Sequence, residues 1–218
     1  RKEGKRVADI NEFWKANDYH PKIQDIHGGV DIIITSEPTY TGIGKVIRNE
    51  LIAKTGRHYS PEAIAGAYAM DRHILYQQLV LPALDVGIDV YQSRSFVSSM
   101  VYQRQQALDE GKEFKVEDIL SIPGNAFCVA HPMDFIIIPT IGDVNEIIRR
   151  LQLRDKKDNC VFEVFDFQLK LKSYYESESF RNFFEKIGVQ LVYIDAGKDL
   201  EYTQQQMRDF YEKNLKQT

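Results

Sequence analysis

The stretch 31–48, DIIITSEPTYTGIGKVIR, constrains the fold of this chain more than any other part. Ile32, Ile33 and Ile34 are consecutive and β-branched, the pattern of a buried strand. The turn formers of 35–41 end it. After Gly42-Ile43-Gly44 the apolar positions Val46, Ile47, Leu51 and Ile52 return at helical spacing, so 45–53 reads as a helix. A buried strand that empties into a polar loop, Glu37 included, is where open α/β sheets place ligands, because strand ends open into a crevice.

The same punctuation recurs. Short apolar runs at 88–91, 135–138 and 191–194 read as further strands, leaving through Gln92-Ser93-Arg94-Ser95, Pro139-Thr140 and Asp195-Ala196-Gly197. Helical spacing marks 5–17, 96–108, 144–153, 165–175, 180–187 and 202–215, with a short helix inside the polar segment 112–122 and a polar connector over 18–29. Ser60 reads as the N-cap of a long helix with Pro61 at its first position, interrupted or kinked at Pro82 and closed by Gly87. Strands separated by helices require a parallel sheet covered on both faces, a three-layer α/β/α architecture with the very apolar 135–138 strand at its centre. At 218 residues and 43% hydrophobic, one domain over 1–218 is expected, with a small basic lid around 149–163.

A net charge of −4 leaves no footprint for a long nucleic acid. Cys128 and Cys160 have no metal or disulfide spacing; Cys128, in apolar context, reads as a core thiol. No apolar run reaches membrane-spanning length, and an intracellular, cytoplasmic setting is the default expectation. The chain opens RKEGK without Met and reads as one that lacks its natural beginning.

Four strand exits present polar groups: Ser36 and Glu37, Ser93 and Arg94, Thr140 and Asp143, and Asp195. Burying an arginine is costly unless it meets an anion, so Arg94 between two serines points to a phosphate or carboxylate, and Arg48 could face the same anion. Arg149, Arg150 and Arg154 offer a further positive patch. Arginines with one or two acids suit phosphoryl transfer, which is mostly positioning and charge stabilisation. Taken singly, Arg94 is as readily a structural ion-pair partner, the 149–154 cluster a solvated helix face, and Tyr68 or Tyr102 a core or rim residue. His58, His73 and His131 lack ligand spacing.

Thr35-Ser36-Glu37-Pro38, then Gly42-Ile43-Gly44 and Ile47-Arg48, resembles the T-R-E-P, glycine and I-R pattern of the thymidylate kinases. Tyr68-Ala69-Met70-Asp71-Arg72 is similar to their aromatic-x-x-D-R helix. Arg94 with Ser98-Ser99-Met100-Val101-Tyr102-Gln103 resembles their D-R-Y…S-S-x-A-Y-Q segment. Residues 149–175 resemble the basic lid and following helix, and Ile194-Asp195-Ala196 the last strand exit. The resemblance implies a P-loop nucleoside monophosphate kinase-like fold and Mg²⁺-dependent transfer of the γ-phosphoryl of ATP to dTMP, giving dTDP. It implies that Arg48 and Arg94 hold the acceptor phosphate, that Tyr68 stacks on thymine, and that Arg72 bonds the base. Ser99, Tyr102 and Gln103 would shape the base and sugar pocket. Glu37 would lie near the sugar and metal-linked waters. Arg149, Arg150 and Arg154 would meet the transferring phosphoryl, and Arg149, Asp195 and Ala196 the ATP. A homodimer is implied as well.

Three features depart from the pattern. No G-x-x-G-x-G-K-[ST] loop occurs in the 218 residues, and Ser93 and Ser36 stand where the family has an acid and an arginine. Two other readings therefore stay open: a catalytically impaired kinase-like nucleotide-binding protein, and a deoxynucleoside kinase. The missing acid at position 93 counts against the second.

Overall fold

The structure, a computed structural model, describes residues 4–26, 28–153, 160–162 and 164–215. The chain divides into two compact units, Arg1–His131 and Pro132–Thr218. In the first, β1 (Val7–Asp9), β2 (Ile32–Ser36) and β3 (Asp89–Ser93) form a parallel sheet in that order. Ser36 lies opposite Ser93, so β2 and β3 end level, and the Glu37 N–H donates to the Ser93 carbonyl at 2.9 Å. That register sets Glu37 and Arg94 at one end of the sheet.

β1 corrects the helix expected over 5–17. Val7 is drawn into the ladder opposite Ile32, and α1 (Ile10–Ala16) begins only after Asp9, whose carboxylate accepts from the Asn11 N–H at 2.9 Å. The helical spacing survives on Ile10 and Trp14, both buried. A short α2 (Ile23–Ile26) lies within the stretch expected to be a connector.

The helix after β2 starts earlier than its apolar spacing suggests. α3 (Gly42–Val46) runs into a wider π-type turn over Ile47–Leu51. Gly42 has φ +48°, and a Cβ on Gly44 would stand 2.2 Å from the Thr39 carbonyl oxygen. Both glycines are thus required for the helix start to press on the loop.

α4 (Pro61–Leu75) begins as its sequence requires, the Ser60 hydroxyl accepting from the Ala63 N–H at 3.2 Å and Pro61 in the first turn. The helical path continues through a π-type turn at Tyr76–Val80 into α5 (Leu81–Asp85) and stops at Gly87, φ +77°. Pro82 falls in the first turn of α5, directly after the wider π-type turn, so the helical path passes it without stopping.

α6 (Phe96–Asp109), α7 (Val116–Ser121) and α8 (Pro123–Ala130) complete the unit, and α4 packs against α6 and α8. Ala65 and Ala69 of α4 are buried, and a Cβ on Gly124 of α8 would lie 1.9 Å from the Ala69 carbonyl oxygen. The small-residue face of α4 therefore receives another helix at backbone contact. Cys128 is buried beside it.

In the second unit β4 (Phe135–Thr140) and β5 (Gln190–Asp195) pair in parallel, Thr140 opposite Asp195. Among the described residues β4 has β5 alone as ladder partner, so it is not the flanked strand its apolar sequence suggested. Its apolar side chains meet helices instead: Phe135 sits edge-on to Phe210 of α12 (Leu200–Asn214), with ring centroids 5.2 Å apart. α9 (Val144–Gln152), α10 (Phe165–Tyr175) and α11 (Glu178–Lys186) precede β5, and α11 buries Phe180 and Phe184. No helix among the described residues is long and apolar enough to cross a membrane.

Candidate active site

The loop after β2 is built on a buried ion pair. Glu37 is 2% exposed and Arg72, from α4, 0%. Arg72 Nε donates to Glu37 Oε2 at 2.8 Å, and Nη2 lies 2.6 Å from the same oxygen. Arg72 Nη1 donates to Asn125 Oδ1 of α8, while Asn125 Nδ2 donates to the Ile119 carbonyl at 2.7 Å. The other Glu37 oxygen accepts from Gln92 Nε2 of β3 at 2.7 Å. One residue earlier on α4, Asp71 accepts from the Thr39 N–H at 2.8 Å and the Thr39 hydroxyl at 2.7 Å. The loop is thus fixed from inside by adjacent residues of one helix.

Burial pushes the Glu37 carboxyl up to about 7, against the pull of Arg72 and the Gln92 hydrogen bond; burial also raises Asp71, against the bonds from Thr39. A carboxyl raised on folding from 4.5 to about 7 lends stability that is fully present below pH 4.5 and lost as pH rises through 7. Glu37 should therefore contribute a fall on the order of 3 kcal/mol in unfolding free energy between pH 4 and 8. Urea unfolding across that range should show a shallower slope for Glu37→Gln. Equal slopes for the two proteins would contradict the assignment.

Arg48 is half-buried. Its Nε donates to the carbonyls of Pro38 at 3.0 Å and Thr39 at 3.2 Å, its Nη2 also donates to Pro38, and its guanidinium lies 3.8 Å from the Tyr40 ring centroid. Arg94 is exposed, with its guanidinium 5.4 Å from the Tyr102 ring centroid. Its φ of +71° makes it the one non-glycine of positive φ among the described residues. Ser95 follows as the N-cap of α6, which buries Ser99 and Gln103 and leaves Tyr102 half-buried. The Ser99 hydroxyl is buried without a hydrogen-bond partner among the described residues. Tyr68 is half-buried on α4.

In the second unit Glu146 accepts from Arg149 at 2.6 and 2.7 Å and from Arg150 at 2.6 Å. These bonds, Arg149's first, hold its carboxyl down at about 2. Arg150 also reaches the carbonyls of Ala196 at 2.6 Å and Lys198 at 2.8 Å, strapping α9 to the loop after β5. Asp195 accepts from the Gly197 N–H at 2.8 Å and shapes that loop. Arg154 lies outside the described residues.

The structure thus joins Glu37 and Arg72 directly, and Arg150 to Ala196. Sequence reasoning missed Asn125, Gln92, and the use of Asp71 on Thr39. Asp71-Arg72 carried a signal, since an acid beside a motif arginine on one helix can serve the same loop. Asn125 carried none.

Parallel strands alternating with helices, with polar residues at the strand exits, are consistent with a nucleoside monophosphate kinase-like α/β fold. A solved thymidylate kinase from Candida albicans shares the fold, with a TM-score of 0.62 at 17% identity over 95% of this chain and 90% of that one. The thymidylate kinase family model matches residues 25–207, and the chain belongs to that family. A probable thymidylate kinase of Pyrococcus horikoshii is 32% identical over 129 residues, 58% of each chain, and one of Thermococcus kodakarensis is 30% identical over 155, 67% of this chain and 69% of its own. The chain spans 58% of the length of the first of these relatives.

Proposed function

We propose that this chain carries the acceptor side of a thymidylate kinase and transfers the γ-phosphoryl of ATP to dTMP, giving dTDP and ADP. The observation that carries the reading is the family match over 25–207, which spans Glu37, Arg48, Arg72, Arg94 and Gln103. An oxygen of the dTMP phosphate attacks the γ-phosphorus, and the bond from that phosphorus to the β,γ-bridging oxygen breaks with ADP as leaving group. Arg94 holds the acceptor phosphate, and Arg48 joins it when its guanidinium turns from the loop carbonyls. Tyr68 stacks on the base, and Arg72, Ser99, Tyr102 and Gln103 form the base and sugar pocket. Arg149 and Arg150 exchange Glu146 for the transferring phosphoryl, with Asp195 and Ala196 on the ATP side.

Mg²⁺, when bound with ATP, would supply neutralisation of charge on the phosphates. The described residues hold no group of three His, Cys, Asp or Glu placed for a metal, and Glu37 is committed to Arg72 and Gln92. Among the described residues, none are therefore grouped as a metal centre of their own. We propose further a single domain from the chain length, a basic lid and a homodimer as the family resemblance implies, and a cytoplasmic setting from the cysteine usage.

One observation favours a second reading, nucleotide binding without transfer. Ser36, at the family's arginine position, is a structural donor to Asn11 at 2.5 Å rather than a cation. A coupled assay of ADP release with ATP and Mg²⁺ separates the readings. dTMP-dependent release with none on thymidine supports the kinase. dTMP bound without release supports the binding protein, and release on thymidine supports a nucleoside kinase.

A further inference from the structure

β3 passes into α6 through a single turning residue. Arg94, at φ +71°, stands between Ser93 in the ladder and Ser95, which is extended at φ −163°. An L-residue in the left-handed region is strained, and arginine lacks the short polar side chain that lets Asn or Asp offset it locally. Such a conformation persists only where its surroundings over-determine it.

Those surroundings are specific. Gln92 Nε2 donates to the Arg94 carbonyl at 3.0 Å and to Glu37 Oε1 at 2.7 Å. The Arg94 carbonyl is a pure acceptor, so only the amide nitrogen satisfies it, and the Thr35 hydroxyl donates to the amide oxygen at 3.4 Å, which together fix the orientation of the Gln92 amide. The Glu37 N–H in turn holds the Ser93 carbonyl at 2.9 Å. The two strand exits are therefore clamped by one backbone and one side-chain hydrogen bond. The chain of contacts then runs from Glu37 to Arg72 and on to Asn125.

We propose that Gln92 is a positioning residue that holds the Arg94 backbone in its left-handed turn, aiming the guanidinium at the acceptor phosphate and tying it to the Glu37–Arg72 pair beside the base. This rests on the proposed role of Arg94 as phosphate holder. Gln92 itself touches no substrate; it acts through Arg94.

The test is equilibrium binding of dTMP and thymidine to the full protein and to Gln92→Met, which keeps the length and removes the donors, each also in an Arg94→Ala background. Expected is a loss of about tenfold in dTMP affinity for Gln92→Met, the order of one hydrogen bond. Thymidine affinity should change less than twofold. In the Arg94→Ala background the same substitution should change dTMP affinity less than twofold, because the group it positions is gone. An equal loss in both backgrounds, or an equal loss for dTMP and thymidine, overturns the proposal and leaves Gln92 a structural residue. Should the methionine variant not fold, Gln92→Asn, whose amide falls one methylene short, supplies the same comparison. Wild-type protein that binds dTMP no better than thymidine overturns instead the assignment of Arg94 to phosphate, and this inference with it.

Discussion

Glu37→Leu should destabilise the protein by about 3–5 kcal/mol, and more than Arg72→Leu does at neutral pH. Removing the carboxylate leaves a guanidinium, 0% exposed, with the Asn125 oxygen as its remaining side-chain acceptor among the described residues. A guanidinium does not give up its proton inside a protein, so the full desolvation cost remains. Removing the guanidinium leaves a carboxyl already raised to about 7 by burial. Without its cation that carboxyl takes up a proton at neutral pH and caps the loss. The double variant Glu37→Leu/Arg72→Leu should cost much less than the two single costs added, because it leaves no unpaired charge. Chemical denaturation at pH 7.5 measures all three. Two small, additive losses would show that the pair is not buried in solution.

Arg94→Ala should weaken dTMP binding about 100-fold and thymidine binding less than threefold, since the two ligands differ only in the phosphate and charge-assisted contacts to it contribute on the order of 1.5–3 kcal/mol each. Titration calorimetry with both ligands reads the two affinities. Arg94 lies exposed at the sheet end, so its removal should leave the unfolding midpoint nearly unchanged. Equal weakening of both ligands would place Arg94 outside the phosphate contact. It would move the acceptor site to another cation, Arg48 first, whose present bonds to the Pro38 and Thr39 carbonyls it would have to release.

The parts of the fold readable from sequence are those fixed by local chemistry. Ser60-Pro61 states where α4 starts, and Gly87 where the helical path stops, because a cap and a positive φ are properties of one or two residues. The β2 strand was legible because three β-branched residues stand together. Val7 reads as helical because three residues of strand carry too little pattern to outweigh the helical spacing of Ile10, Phe13 and Trp14, and its partner Ile32 is 25 positions away. α8 was missed because a short apolar segment such as PGNAFCVA has no polar face to reveal a period.

The same division runs through the site. Arg48, Arg72 and Arg94 could be named, since charge at a strand exit or beside a motif acid is visible in the chain itself. What each arginine touches could not. Nothing in the chain around Arg72 tells that its guanidinium meets Glu37 and Asn125, residues 35 and 53 positions away. Gln92 looks like any polar residue closing a strand until Arg94 is seen to turn left-handed immediately after it.

The Gly124–Ala69 contact carries a consequence for how this region can vary. The residue that lets α8 touch the α4 backbone is the immediate neighbour of the one whose amide meets Arg72. A single added methyl at position 124 would wedge the two helices apart, and the amide at 125 would be carried away from the guanidinium by the same displacement. Steric fit and electrostatic order here share one lever arm, so neither can drift without the other, and compensation would need paired changes on both helices.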